Sequence, residues 1–440
     1  MEEHDESLIQ EEGKVENVFR NRNYTLTFLG ALVSNVSALL YSFAVSFLIL
    51  KLTNNNSLLQ GLYLALTGIT FVIFSPIGGI ISDRLNKVRI MYICDYLRGL
   101  VILIGAILFI FIEENGFRVV SLFAIGIIGN IIGACFSPAS SSLLPLIVKS
   151  EQLQQANSYF TLMSSFQSIV GVLLAGVLYS VLKIEVLFII VGVGYLLSGL
   201  SEMLIRYKHE KNEERLTLKL FFNDFSSGLK YLKGQKAILS LLFAVIFLNF
   251  FMSPIYDNFF PYFVETDLAN SDYLFKSFIT PEMWSAIATV FLAISSIIFS
   301  IVLSVRPTMK NPGKKVKLFI LLTSIVVVVM ALLFYVFVVR NNNVNGFIIT
   351  TLVTMFILGG LLVLINVPIS TTMQQKTEPS MLGKVSSILQ MMSQGLIPFS
   401  TFLAGLVINY FGSLALLFSC GAGLLITSLF LFFNKSVNAL

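Results

Sequence analysis

The sequence predicts an all-α membrane protein in which twelve transmembrane helices form two repeats of six, with both termini in the cytoplasm. Composition, the number of long apolar runs and the distribution of basic residues support this prediction. Apolar residues make up 56% of the 440 residues and charged residues only 12%, whereas soluble domains carry about 25% charged residues. Such a chain cannot cover its surface with polar groups, so lipid must be its solvent.

Twelve apolar runs are long enough to cross the roughly 30 Å hydrocarbon core of a bilayer. The first six lie near residues 24–50, 57–81, 90–112, 118–146, 155–182 and 185–206. The other six lie near residues 237–263, 284–305, 317–339, 347–373, 385–411 and 413–433. We number these predicted spans 1 to 12 in chain order.

The basic residues indicate the orientation of the spans. An even number of spans leaves both termini on one side, and lysine and arginine are enriched on the cytoplasmic side. Segments on the side of the termini hold 23 basic residues, whereas the opposite loops hold five. The termini are therefore predicted to face the cytoplasm.

Charge divides the chain into five parts. Residues 1–23 form an acidic cytoplasmic tail without the apolar core of a secretory signal, and residues 434–440 form a second tail. Residues 207–236 are charged and amphipathic, as in helices at a membrane interface. We interpret them as a cytoplasmic linker between an N-terminal six-helix half, 24–206, and a C-terminal six-helix half, 237–433.

An internal repeat relates the two halves. The triplet LAG at 174–176 in span 5 recurs at 403–405 in span 11. The triplet GVG at 192–194 in span 6 recurs as GAG at 421–423 in span 12, at the same offset of 229 residues. A shared offset across corresponding spans indicates duplication.

The loop between spans 2 and 3 concentrates charge where two helices reach the water. Residues 78–89 read GGIISDRLNKVR, and Asp95 and Arg98 follow on the first turns of span 3. Asp95 and Arg98 are three residues apart, so they share a helical face and can pair. Charges at this depth are costly unless they pair with one another.

This loop resembles the signature Gly-x-x-x-Asp-Arg-x-Gly-Arg-Arg/Lys of the major facilitator superfamily, which lies between helices 2 and 3. The resemblance implies the major facilitator fold, alternating access between two repeats, and a cytoplasmic latch that is made and broken during switching. In that latch Gly79 would allow close helix approach and Asp83 would be the central acid. Asn86 replaces the family's second glycine, and asparagine tolerates left-handed backbone better than other non-glycine residues. The implied latch residues are Gly79, Asp83, Arg84, Lys87, Arg89, Asp95 and Arg98.

Three further strings resemble bacterial drug exporters of the macrolide-efflux type. FSPA at 136–139 and LPLIV at 144–148 are similar to the junction of spans 4 and 5 in those proteins. PSMLGKV at 379–385, which contains Gly383 and Lys384, is similar to their Pro-x-x-x-Gly-Arg-Val motif before span 11. The resemblance implies a plasma-membrane exporter.

Two positions depart from proton-driven members of the superfamily. Span 5 keeps Gly171 and Gly176 of the antiporter motif Gly-Pro-x-x-x-Gly but lacks its proline. Span 4 offers Asn130 where many proton-driven exporters carry an arginine. Both departures count against a standard proton-antiport mechanism.

Polar residues within the spans are the candidates for substrate and proton binding. Asp257 follows Pro254, which should kink span 7, and an acid within the membrane is a functional candidate. Alternatively, Asp257 lies at the outer mouth, capped by Asn258 and water. We expect Glu202, near the inner end of span 6, to be solvated. The other candidates either line the cavity or join helices by hydrogen bonds; they are Asn35, Tyr41, Gln167, Asn249, Asn366, Gln390, Met391 and Gln394.

These features predict a secondary active transporter that exports lipophilic or amphipathic small molecules, with protons as the coupling ion. The alternatives are a lipid or lysolipid translocator and a non-transporting receptor or scaffold, and import instead of export stays open. We expect a monomer in the lipid bilayer, with no cofactor, no metal and no nucleic-acid partner.

The sequence disfavours an enzyme. It contains no HExxH or GxSxG motif, and its two histidines, His4 and His209, lie in polar segments. It also lacks the GxxxxGK[ST] motif that ATP-driven pumps need. Energy for transport would therefore come from a gradient or from a partner.

Overall fold

The computed structural model describes residues 17–149, 152–207, 226, 230–304, 311–377, 385, 391 and 394–434. Within these residues the secondary structure is helical and contains no strand, as the sequence predicts. Eleven of the described helices are long and apolar enough to cross a membrane. The protein is therefore an all-helical, multi-pass membrane protein.

The helices follow the predicted order. After a short 3-10 helix at Val18–Arg20, the first six candidate spans are Arg22–Leu52, Ser57–Arg84, Lys87–Phe111, Asn115–Ile147, 153–181 and Ile184–Met203. The others are 236–268, Pro281–Ser304, Pro312–Arg340, Val344–Lys376 and Ile397–Phe433. The first ten each overlap one of the predicted spans 1 to 10, whose numbers we keep.

The last helix, Ile397–Phe433, is interrupted at Gly412. The φ of 83° and ψ of 171° at this residue lie outside helical geometry, in a region that glycine adopts at little steric cost. The interruption separates segments 397–411 and 413–433 at the predicted boundary between spans 11 and 12. We call these two segments spans 11 and 12; part of the predicted start of span 11 lies outside the described residues.

Three of the spans contain π-helical turns within the described residues. Span 5 consists of Leu153–Phe166, a π turn at Gln167–Gly171, and Val172–Val181. Span 7 consists of Lys236–Pro254, a π turn at Ile255–Phe259, Phe260–Phe263, and a second π turn at Val264–Leu268. Span 9 consists of Pro312–Phe334 and a π turn at Tyr335–Arg340. In span 7 the change of helix type follows directly after Pro254, so the sequence correctly locates a distortion there.

Repeated glycines in spans 6 and 12 make equivalent contacts in the two halves. A Cβ on Gly192 would lie 2.7 Å from Cγ of Leu103, which packs span 6 against span 3. A Cβ on its counterpart Gly421 would lie 2.7 Å from Cγ2 of Val328, which packs span 12 against span 9. Spans 6 and 12 thus occupy corresponding positions in their six-helix groups.

The halves touch through another pair of repeated glycines, Gly176 and Gly405. A Cβ on Gly176 in span 5 would lie 3.0 Å from Cβ of Ala286 in span 8. A Cβ on Gly405 in span 11 would lie 3.0 Å from Cα of Gly61 in span 2, and Ser57 Oγ donates a hydrogen bond to the Gly405 carbonyl oxygen at 3.1 Å. All of these contacts lie toward the predicted outer end of the spans, so the halves meet there.

Candidate functional site

A cavity of about 700 Å³ lies among spans 1, 2, 3, 4 and 6. Its size falls within the range of small-molecule binding sites. Aromatic and aliphatic side chains form much of its wall, and serines and amides supply polar groups. Representative lining residues from spans 1, 2, 3, 4 and 6 are Asn35, Tyr63, Arg98, Phe136, Ser137 and Tyr195.

Two of the predicted candidates in span 1, Asn35 and Tyr41, line this cavity. Asn130 of span 4 lines it too, and its Nδ2 donates a hydrogen bond to the Gly126 carbonyl oxygen at 2.9 Å. One carbonyl bond leaves the rest of the amide available to a ligand. These three residues are therefore placed to contact a bound molecule.

The other neutral candidates that the structure describes lie outside the cavity lining. Gln167 is buried in the π turn of span 5, and its Nε2 donates to the Leu32 carbonyl oxygen at 3.3 Å, so it joins spans 5 and 1. Asn249 is half-buried and Asn366 is exposed. Met391 and Gln394 are exposed as well, and Gln390 lies outside the described residues. The cavity lining in the described part of the chain includes none of them.

Asp257 lies on the π turn Ile255–Phe259 and is half-buried. Its carbonyl oxygen accepts a hydrogen bond from Gln60 Nε2 of span 2 at 3.2 Å. The neighbouring Asn258 donates from Nδ2 to the Thr401 carbonyl oxygen of span 11 at 3.1 Å. Asp257 thus lies at the junction of the halves, outside the described cavity lining, and its role as a proton or cation site stays a prediction.

The glycine that brings spans 2 and 4 together is Gly78, whereas the sequence resemblance assigns close approach to Gly79. A Cβ on Gly78 would lie 2.0 Å from the carbonyl oxygen of Ala134. A Cβ on Gly79 would meet nothing within 4 Å in this conformation. Adjacent helical residues point about 100° apart, so only one of the two glycines faces span 4.

The rest of the predicted latch is described in part. Span 2 ends at Arg84, and the side chains of Asp83 and Arg84 lie outside the described part of the structure. Asn86 has φ −61°, not a left-handed value, and caps span 3 by accepting a hydrogen bond from the Arg89 backbone N–H at 3.3 Å. Lys87 Nζ donates to the Ser82 carbonyl oxygen at 2.9 Å, and the latch itself stays a prediction.

The structure describes the glycine motif of span 5 but not the Gly-Lys motif before span 11. Gly176 of the span 5 motif contacts span 8, as described above, whereas a Cβ on Gly171 would come no closer than 3.5 Å to Leu39 of span 1. Gly383 and Lys384 lie outside the described residues.

Asp95 and Arg98 form the ion pair that their spacing predicts, with Arg98 Nη1 3.3 Å from Asp95 Oδ1. They lie in the interior and not at the surface of a cytoplasmic loop: the Asp95 side chain is 0% exposed and that of Arg98 15%. The Arg98 guanidinium lies 4.8 Å from the ring centre of Phe136 and 5.6 Å from that of Tyr195. Arg98 lines the cavity, which connects the ion pair to any bound molecule.

Glu202 is fully buried, so the expectation that it is solvated is wrong. Neither of its carboxylate oxygens has a hydrogen-bond partner among the described residues. Its Cγ lies 3.2 Å from the position that a Cβ on Gly30 would occupy. The charges of Asp95 and Arg98 act on it. Gly30 of span 1 is small, and so is Ser198, which lies one turn before Glu202 in span 6. The Glu202 side chain fills the space that these two residues leave.

An ion pair links the halves at the predicted outer end. Lys51 Nζ of span 1 lies 4.0 Å from Glu282 Oε1 of span 8. The Lys51 side chain is 61% exposed, and exposed ion pairs contribute at most about 1 kcal/mol. Charge therefore contributes little to holding the halves together at this end.

Sequence comparison matches the described helices to a known family. The profile of the Major Facilitator Superfamily matches residues 27–401, which include the cavity and the buried charges. The chain is 24% identical over 241 residues to the uncharacterized MFS-type transporter YkuC of Bacillus subtilis, with 53% of this chain and 55% of that protein covered.

Two exporters are also among its relatives. Macrolide efflux protein A of Streptococcus pyogenes is 23% identical over 54% of this chain and 58% of its own length. The putative bacilysin exporter BacE of Bacillus subtilis is 25% identical over 43% of this chain and 46% of its own length. The chain thus spans about half the length of the curated relatives that it matches.

Solved transporters share the fold over nearly the whole chain. A D-xylose-proton symporter superposes with a TM-score of 0.69 at 13% identity, covering 95% of this chain and 98% of that one. A bacterial homologue of the iron transporter ferroportin in the inward-facing state gives a TM-score of 0.68 at 13% identity, covering 92% and 98%. With a family profile that matches most of its length and a fold shared with transporters, this chain belongs to the Major Facilitator Superfamily.

Proposed function

We propose that this chain is a proton-driven exporter of lipophilic or amphipathic small molecules in the plasma membrane. It would cross the membrane twelve times with cytoplasmic termini, work as a monomer, and alternate between states open to either side. The contacts between the halves at the predicted outer end support an inward-facing assignment for the structure.

The cavity of about 700 Å³ carries this proposal. Among its described lining residues, Arg98 is the charged side chain, while Tyr63, Phe71 and Phe136 supply aromatic surface. A site with these walls favours a molecule that is apolar over most of its surface. The names of two relatives, a macrolide efflux protein and a putative bacilysin exporter, support export of drug-like compounds.

Dye efflux tests the proposed function. Cells that express the protein are loaded with ethidium, and its loss is followed with and without a proton uncoupler. We expect faster loss than in cells without the protein, and the uncoupler should abolish the difference. Equal loss in both strains, for ethidium and for a macrolide, would count against export; protein-dependent flipping of a fluorescent lysolipid in proteoliposomes would favour a lipid translocator.

Filling the cavity should reduce transport without unfolding the protein. Gly129 lines the cavity, and a Cβ on it would meet nothing within 4 Å. We expect Gly129→Phe to lower ethidium efflux by about tenfold, which corresponds to roughly 1.4 kcal/mol of lost binding. Efflux rates normalised to the amount of protein in the membrane measure this effect.

Gly129→Ala is the matched control, because it changes the same residue but occupies little of the cavity. We expect it to retain most of the efflux. If both variants transport at the original rate, the dye binds elsewhere and the cavity is not the transport site.

A further inference from the structure

Two acidic side chains and one basic side chain meet in the interior of the N-terminal half, where Asp95 and Arg98 of span 3 face Glu202 of span 6. The Asp95 side chain and Glu202 are both 0% exposed. If both acids were ionised, the group would carry a net negative charge inside the protein. A buried charge without a compensating partner costs several kcal/mol.

In the part of the chain that the structure describes, no side chain or backbone group donates a hydrogen bond to Glu202. Arg98 Nη1 and Ser34 Oγ both donate to Asp95 Oδ1, at 3.3 and 3.4 Å. Ser198 Oγ donates to the Gly30 carbonyl oxygen at 2.9 Å and not to Glu202. Asp95 Oδ2 has no partner among the described residues either, so both acids keep unpaired oxygens in the interior.

No second cation among the described residues balances Glu202. Among the described residues, Asp95 and Arg98 are the charged groups that act on it. Cys94 of span 3 and Cys135 of span 4 also lie near these charges, and Tyr195 of span 6 lies under the guanidinium. Thiols and phenols are neutral near pH 7. Span 1 contributes the uncharged Ser34 and Gly30.

Arg98 connects this cluster to the cavity. Its guanidinium is bound to Asp95 on one side and lines the cavity on the other. With Glu202 protonated, Asp95 balances Arg98 and the cluster is neutral. With Glu202 ionised, the cluster carries a charge of −1, which favours a cation in a cavity whose aromatic walls also attract cations.

We propose that Glu202, together with Asp95 and Arg98, is the proton-binding site of this transporter, and that a lipophilic cation and the proton occupy the protein alternately. The O–H bond of the Glu202 carboxyl group breaks, its proton leaves to water on the side to which the transporter is open, and the carboxylate formed balances the cation through Arg98, which lines the cavity. This inference rests on the proposed function, since it names the proton site and substrate charge of the same exporter.

Infrared spectroscopy of the purified protein in lipid tests the proton site without any transport. As the pH is raised, the original protein should lose a carbonyl band of protonated carboxyl groups, and Glu202→Gln should lack that band. Glu185→Gln, at the other end of span 6, is the matched control and should keep it. An unchanged band in Glu202→Gln, or its loss in Asp257→Asn instead, would overturn the assignment.

Ethidium flux in proteoliposomes tests the coupling. We expect Glu202→Gln to lower pH-gradient-driven accumulation by at least about tenfold, a change of roughly 1.4 kcal/mol, while exchange of ethidium without a gradient persists. Undiminished accumulation in Glu202→Gln would overturn coupling through this residue. If the original protein moves no ethidium, the proposed function fails, and the infrared titration alone decides the proton site.

Discussion

Gly78→Val is expected to destabilise the N-terminal half strongly. A Cβ at this residue would lie 2.0 Å from the carbonyl oxygen of Ala134 and 2.8 Å from Cα of Cys135. Both are backbone atoms, so spans 2 and 4 must separate to admit a side chain. Overpacking typically costs about 1–3 kcal/mol, which lowers the melting temperature of a 440-residue chain by about 1–3 °C. Thermal unfolding in detergent measures the change.

Gly79→Val is the matched control, because it places the same side chain one residue later, where a Cβ meets nothing within 4 Å. We expect its melting temperature to stay close to that of the original protein. Equal destabilisation by both substitutions would show that helix propensity, and not the contact with span 4, makes the glycine necessary.

Gly405→Val is expected to abolish transport by keeping the halves apart at the predicted outer end. Its Cβ would lie 2.5 Å from the carbonyl oxygen of Ser57 and 3.0 Å from Cα of Gly61. Both neighbours are backbone atoms on span 2, so the two spans cannot close on a valine. Efflux should fall by more than about tenfold, although each half still folds.

Labelling from outside the cell distinguishes this closure defect from simple misfolding. Ser46 lines the cavity. A Ser46→Cys variant reports whether a membrane-impermeant maleimide can reach the cavity from outside. Its background carries serine in place of Cys94, Cys135 and Cys420. Labelling should rise when Gly405→Val is added. The control is Leu403→Val on the exposed face of the same helix. Unchanged labelling with normal efflux would mean that the contact of spans 2 and 11 does not control access.

Much of the fold could be predicted from the sequence because it depends on quantities that are local to the chain. Hydropathy located spans 1 to 10, and the predicted end of span 11 at residue 411 lies directly before Gly412, where the last helix is interrupted. The three-residue spacing of Asp95 and Arg98 predicted their ion pair, because side chains three apart share a helical face. Family membership followed from the charged loop.

The environment of the candidate site could not be predicted in this way. Glu202 lies near the end of its span, and position along a helix does not tell which helices cover it. Its burial depends on Gly30 and Ser198, whose small size allows span 1 to approach span 6. The choice of Gly78 over Gly79 likewise depends on which helical face meets span 4. Both features depend on how segments that are distant in the sequence pack against each other.

The small residues that join the halves have a consequence for how salt affects the transporter. Gly61 and Gly405 touch without charge, and the nearby ion pair of Lys51 and Glu282 is exposed on one side. Dissolved ions screen exposed charges but leave van der Waals contact unchanged. The distance between spin labels on spans 2 and 11 should therefore be the same at low and high ionic strength, unlike that of a gate held by ion pairs.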